Sequence, residues 1–265
     1  MQSSELEGNG QPDEMREVDV EGEKSSNRAA SLLRISGLGN RSRANGLRLK
    51  NGDVIVAING EPFHGNENDL QEALTLDNVE TRALVTVSRG NVLFDIITAG
   101  PLGGAYEFAE PELANDISEA FATYQVDDID NYEPYEVMRN IRRDCLIFSS
   151  THTQLPYLFP AVWLLQNRIW EPMFAVIAAY GFSIVVNPLL FLLIYVLTCV
   201  YFGRGQVGIL RSYALFHEHN LWLCVAARSV EHVQTICRQL DRRCDFRFSY
   251  VGPPAGPEDE DTDKA

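Results

Sequence analysis

The residues whose types come nearest to a reactive site lie at His217-Glu218-His219-Asn220. A hydrolytic zinc site on a helix needs two histidines four apart, so that both reach one metal from one face, with a glutamate between them as general base. Here the histidines are two apart, which suits one face of an extended segment, and no third ligand follows at a metal-binding spacing. Hydrogen-bonded or solvated histidines are the expectation, and no metal. Cys145, Cys199, Cys224, Cys237 and Cys244 form an odd set without paired spacing, which argues against a disulfide framework. Cys224, Cys237 and Cys244 suit the role of small apolar fillers. Asp53 and Asp95 are the carboxylates expected to be buried, because apolar strand residues surround them. No HExxH, GxSxG or Gly-Asn-Ser-Gly-Gly segment occurs. No catalytic residue and no cofactor are expected, and the remaining signals concern binding and anchoring.

The largest of those signals is an apolar run from Met173 to Phe202 that contains no charged residue. As one helix it would be about 45 Å long at 1.5 Å per residue, against a hydrocarbon core of about 30 Å. Asn187-Pro188 divides it into arms of fourteen and fifteen residues. Proline withholds the helical N–H and disfavours helix at the residue before it, and asparagine favours turns. Arg168 lies before the run and Arg204 and Arg211 after it, so the positive-inside rule places both ends in the cytoplasm. The spacing predicts a transmembrane helical hairpin turning at Asn187 and Pro188, with a single kinked span as the alternative. The segment before it, "LPYLFPAVWLLQNRIWEP", is apolar but interrupted. Trp163, Arg168 and Trp170 are the expected interfacial anchors, because aromatic and basic side chains favour the headgroup boundary. A buried helix of a soluble core is the alternative for this segment.

These parts need elements to carry them. Residues 28–100 alternate strand-like runs ("LLRIS", "VIVAI", "ALVTVSR", "VLFDIIT") with tight turns at Asn51-Gly52 and Gly90-Asn91, and with a short amphipathic helix at "NENDLQEAL". In "SRANGLRLKNGDVIVAINGEP", Ser42, Ala44, Gly46, Leu47, Gly52, Asp53, Ile55, Ile58, Asn59, Gly60 and Pro62 match a motif. On these residues the segment resembles a PDZ domain of the bacterial HtrA and site-2-protease type. The resemblance implies a small β-barrel or sandwich with a helix, and a groove between a sheet edge and that helix where a peptide adds as a strand. It points to Leu33, Ile35 and Gly37 on the strand and Leu70 and Leu74 on the helix as the peptide-binding groove. The preceding "EGEKSSNRAAS" lacks the apolar-Gly-apolar pattern that would present N–H groups to a chain terminus, so capture of a C-terminal carboxylate is not expected. The alternative is a domain packed against the protein's own connector.

Composition completes the layout. The net charge of −15 is concentrated in three places. Residues 1–25 hold eight carboxylates, residues 105–138 hold ten with no Lys or Arg, and the tail "GPEDEDTDKA" holds five. A nucleic-acid surface requires the opposite sign. The expected domains are an acidic N-terminus (1–27), the PDZ-like domain (28–100), an acidic and aromatic linker (101–154) with one short helix near 115–124, an interfacial segment and membrane hairpin (155–204), a β-α-β cap (205–252) and an acidic tail (253–265). The cap is read from the apolar "LWLCVAA", from Val230, Val233, Ile236, Cys237 and Leu240 at helical spacing, and from the alternating "CDFRFSY". "LFPAVWLLQNRIW", the two arms, and "FGRGQVGILRSYALFHEHNLW" together resemble an uncharacterised bacterial inner-membrane protein family, which adds no catalytic residue.

The fold class expected is therefore multidomain α+β with a membrane segment. The function expected is a non-enzymatic, membrane-anchored PDZ-containing adaptor at the cytoplasmic face of the inner membrane. Its partners would be the lipid bilayer and a protein or peptide ligand, and not nucleic acid. The alternative is a regulatory subunit of a membrane protease or transporter complex.

Overall fold

The computed structural model describes residues 31–75 and 82–256. Within the N-terminal region, strand β1 (Leu33–Gly37) leads through a one-turn helix α1 (Arg43–Gly46) to β2 (Val54–Ile58) and the short β3 (Glu61–Pro62). Ser42 caps α1, its Oγ accepting from the Asn45 N–H at 3.2 Å. Helix α2 (Glu67–Leu74) starts with a reciprocal capping box. The Asn66 side chain accepts from the N–H groups of Asn68 and Asp69, and the Asp69 carboxylate accepts from the Asn66 N–H at 2.9 Å. Two orphan donors are satisfied that way, and the helix buries Leu70 and Leu74. Strands β4 (Ala83–Arg89) and β5 (Val92–Thr98) form a full hairpin, in register from Ala83↔Thr98 to Arg89↔Val92. Gly90 takes φ +61° at its turn, a conformation that glycine adopts without a Cβ penalty.

The stretch read as an acidic linker is largely regular structure. It supplies β6 (Ala105–Phe108), helix α3 (Pro111–Ala122), a 3₁₀ turn (Ile129–Asn131), β7 (Glu133–Arg139) and β8 (Asp144–Ser149). The helix expected near 115–124 is α3, which starts earlier because Pro111 suits the first helical turn. Four helices follow: α4 (Leu155–Leu158), α5 (Pro160–Gln166), α6 (Trp170–Val186) and α7 (Pro188–Phe216). The chain then returns through β9 (Asn220–Ala227), α8 (Val230–Leu240) and β10 (Asp245–Phe246).

All ten strands among the described residues join one sheet, in the order β10-β8-β7-β9-β5-β4-β2-β1-β6, with β3 paired to β2. The protein is thus mixed α+β with a large sheet. Strand β9 is hydrogen-bonded to β7 along most of its length but meets β5 only at Asp95↔Ala226. Helix α8 packs on both β5 and β9 across this narrow seam. One core runs beneath it, from Leu33, Ile35, Leu70, Leu74 and Phe94 to Val137, Leu223, Val233 and Ile236. On the N-terminal half, a second cluster places Ala114 and Ile117 of α3 against Leu32, Val54 and Val56.

Two expectations change here. The region read as a β-α-β cap does not pair its own strands, because β9 lies beside β7 and the two-residue β10 runs parallel to β8. "CDFRFSY" alternates like a strand, yet only Asp245 and Phe246 are one. The buried Gln234 of α8 takes over beyond them, its Nε2 donating to the Phe248 carbonyl and its Oε1 accepting from the Tyr250 N–H, both at 2.7 Å. A side-chain amide thus stands where a neighbouring strand would be.

The transmembrane hairpin turning at Asn187 and Pro188 is also corrected, because one described helix and not two is long and apolar enough to cross. Asn187 does interrupt the run, and its Oδ1 caps α7 by accepting from the Leu189 N–H at 2.7 Å. Helix α7, however, continues for 29 residues, far past Phe202, and is the one described helix long and apolar enough to cross a membrane. Its neighbour α6 has 17 residues and falls short of that length. The glycine-rich exit stays helical because Gly203 lies against Tyr157, where a Cβ would sit 2.3 Å from Cδ1. Gln206, one turn on, bonds both polar groups of the Thr153 backbone, at 2.7 and 2.9 Å.

Candidate functional site

The structure brings the groove residues together. Leu33 and Ile35 on β1 and Leu70 and Leu74 on α2 are all buried in one core cluster. The sheet edge expected to receive a peptide is, however, already paired. Strand β6 lies antiparallel on β1 in the register Leu33↔Phe108, Arg34↔Glu107, Ile35↔Tyr106 and Gly37↔Ala105. A register shift between Ile35 and Gly37 interrupts the ladder near its end. Tyr106 packs against the core beside α2. Burial and the nearby Glu67 carboxylate push its phenol up to about 12. The protein's own connector therefore occupies the position of an added strand, as in the alternative reading of this region, and Tyr106 is the aromatic residue that docks there. Its signal was faint: an apolar-polar alternation in "AYEF" inside a segment dominated by carboxylates.

The second candidate site is the α6–α7 pair. The two helices run antiparallel, with Tyr180 against the rings of Phe191 and Tyr195 and its hydroxyl 2.6 Å from Thr198 Oγ1. Nearer the sheet, Trp163 and Met173 pack with Phe202. Polar contacts fix the base. Arg211 makes a bidentate pair with the buried Glu136 of β7, at 2.7 and 2.5 Å, and Ser150 donates to the same carboxylate at 2.8 Å. The far end is uncharged and bare: Phe182 is 73% exposed, Val185 84% and Leu189 75%. Asn187 and Pro188 stand at this tip. Of the expected interfacial anchors, Trp163 is buried in the helical cluster and faces no surface. Trp170 is exposed and stacks on Phe174. Arg168, at φ +59°, lays its guanidinium 3.4 Å from the centre of the Phe248 ring.

The residues first weighed for chemistry are engaged elsewhere. Asp53 accepts from Arg89 at 2.8 and 2.7 Å and from the Lys50 N–H at 2.7 Å. Asp95 accepts from the Thr86 hydroxyl at 2.7 Å and the Tyr124 hydroxyl at 2.9 Å, and burial raises its pKa. The ring of His219 meets the His217 carbonyl at 2.7 Å, and its Nε2 lies 3.4 Å from Asp144 without an aligned hydrogen bond. Among the described residues no group of three or more His, Cys, Asp or Glu is placed to hold a metal ion. All five cysteines are free and four are buried. Their mutual hydrogen bond and burial push Cys145 up, while the same bond lowers Cys244.

Comparison of the chain with protein-family models, with curated proteins and with solved structures finds no match. The two family resemblances rest on the residues quoted for them.

Proposed function

We propose that this protein is a non-enzymatic, membrane-anchored adaptor, held on one face of a bilayer by the apolar α6–α7 tip. Its PDZ-like unit recruits a protein or peptide at that face. One observation carries the anchoring: the chain leaves the sheet at β8 and re-enters it at β9, and both strands are hydrogen-bonded to β7. Everything outside the excursion therefore stays on one side of whatever the tip enters. The uncharged parts of the two helices are about 20 Å long, deeper than one leaflet and shallower than a hydrocarbon core of about 30 Å. Bare apolar side chains gain about 25 cal/mol per Å² on leaving water, and that gain draws the tip into lipid. The base cannot follow, because Arg211 of α7 is tied to Glu136 in the sheet. The cytoplasmic face of an inner membrane suits Arg204 and Arg211 near this base.

Thiol labelling in sealed membranes tests this reading. Ile141→Cys, in the β7–β8 turn, and Glu218→Cys, between α7 and β9, are both exposed positions. Both should react with a membrane-impermeant reagent from the same side. Labelling from opposite sides would overturn one-sided anchoring. Recovery of the protein away from floated vesicles would overturn anchoring altogether.

A further inference from the structure

A cleft of about 660 Å³ opens at one end of the seam, between the β4–β5 turn and the end of α8. Lys50, Arg89, Arg139, Trp222 and Asp241 line it. Its charges do not balance locally. Arg89 is spent on Asp53, while Arg139 and Arg143 share the single carboxylate of Asp241, at 2.9 and 3.1 Å. Lys50 has no ion pair among the described residues, so of the charged groups lining the cleft three are cations and one, Asp241, is a carboxylate.

We infer that this cleft is a binding site for a phosphate-bearing anion, with Lys50, Arg89 and Arg139 as its cationic wall. Three observations support the assignment. Burial and the charges of Arg89 and Arg139 hold the Lys50 ammonium below its ordinary pKa, against the opposing pull of Asp53. Both guanidinium charges thus reach the Lys50 ammonium. The Arg89 guanidinium is fixed through Nε and Nη2, which bond Asp53 and the Arg48 carbonyl. Arg139 is stacked 4.2 Å above the Trp222 ring, which orients its planar fork instead of leaving it mobile. Pre-oriented guanidinium groups beside an ammonium match the several acceptor oxygens of a phosphate better than they match a single carboxylate. The cleft shares no lining residue with the β1–α2 groove or the α6–α7 tip, so the inference does not depend on the proposed adaptor role.

Calorimetric titration of the full-length protein in detergent with pyrophosphate is the test. Saturable one-to-one binding is expected. It should weaken about tenfold in Lys50→Gln, the loss of one charge-assisted contact worth about 1.4 kcal/mol. Arg41→Gln, an exposed cation outside the cleft, should bind like the wild type. Lys50 is exposed enough that its replacement spares the fold, and unchanged melting temperatures will verify this. Flotation with phosphatidylcholine vesicles, with and without phosphatidate, separates the two sources of phosphate. Lys50-dependent enrichment on phosphatidate assigns a lipid headgroup, and equal flotation with soluble pyrophosphate binding assigns a free ligand. Absence of pyrophosphate binding, or equal binding by wild type and Lys50→Gln, would overturn the assignment.

Discussion

At the residue scale, the polar groups buried in this protein hold its strands together. Asp95 sits at the one register position where β5 meets β9, and its carboxylate is enclosed by Thr86 and Tyr124. Burial raises its pKa above the ordinary 3.8, so the folded state binds that proton more tightly than the unfolded chain does. The stabilisation it gives is full below pH 3.8 and is lost as pH rises through the folded value. Asp95→Asn cannot titrate. The melting temperature of the wild type, measured relative to that variant, should therefore fall as the pH rises above about 4. A constant difference would mean that Asp95 ionises in the fold as it does in water. Glu136 presents the reverse case, a buried carboxylate that relies on a partner. Arg211→Met strands its charge, and a loss of about 1–2 kcal/mol is expected in thermal or denaturant unfolding, limited by the half-exposed arginine.

At the scale of elements, β6 and α7 carry the main departures from what the sequence predicts. Strand β6 is an edge strand with a mostly exposed face and few anchoring side chains, the kind of element that opens locally at low cost. If the groove serves recruitment, Tyr106→Ala should raise the affinity for a labelled "GAYEFAE" peptide several-fold, as read by fluorescence anisotropy. An unchanged affinity would mean that β6 is a permanent part of the sheet. In α7, Gly203→Ala drives a methyl into Tyr157, and a cost of about 1–3 kcal/mol is expected from the melting temperature. The strands and helix of residues 28–100 were legible because turn glycines bound short runs rich in β-branched and apolar residues. Helix α7 was read too short because glycine and Gln206 look like an exit from an apolar segment, while in the fold they serve close packing and backbone satisfaction. The strands of the connector were masked by their carboxylates. In β7, the glutamate of "YEVM" is a buried partner for an arginine 75 positions away, and no local pattern encodes such a pairing.

At the scale of the molecule, the sheet holds the shape, and in the function proposed above the apolar tip is what meets lipid. Val185→Asp combined with Leu189→Asp puts two charges at the most exposed end of the tip. Vesicle flotation should fall by at least about tenfold, since each charge costs on the order of 2.5–3.5 kcal/mol in a bilayer centre, while the melting temperature in detergent stays within a few degrees. Loss of both together would place the tip in the folding core instead. The seam has a further consequence, in time. Strand β7 is made well before β9, its main neighbour, and the whole helical excursion from residue 155 to residue 216 is made between them. Pairing over such a separation is slow, because the intervening loop must close first. A nascent chain therefore carries β7 with one unsatisfied edge until the apolar helices have found their place. Completion of the sheet thus waits on the placing of the helical excursion, and a chain in which those helices fail to pack keeps an open strand edge exposed.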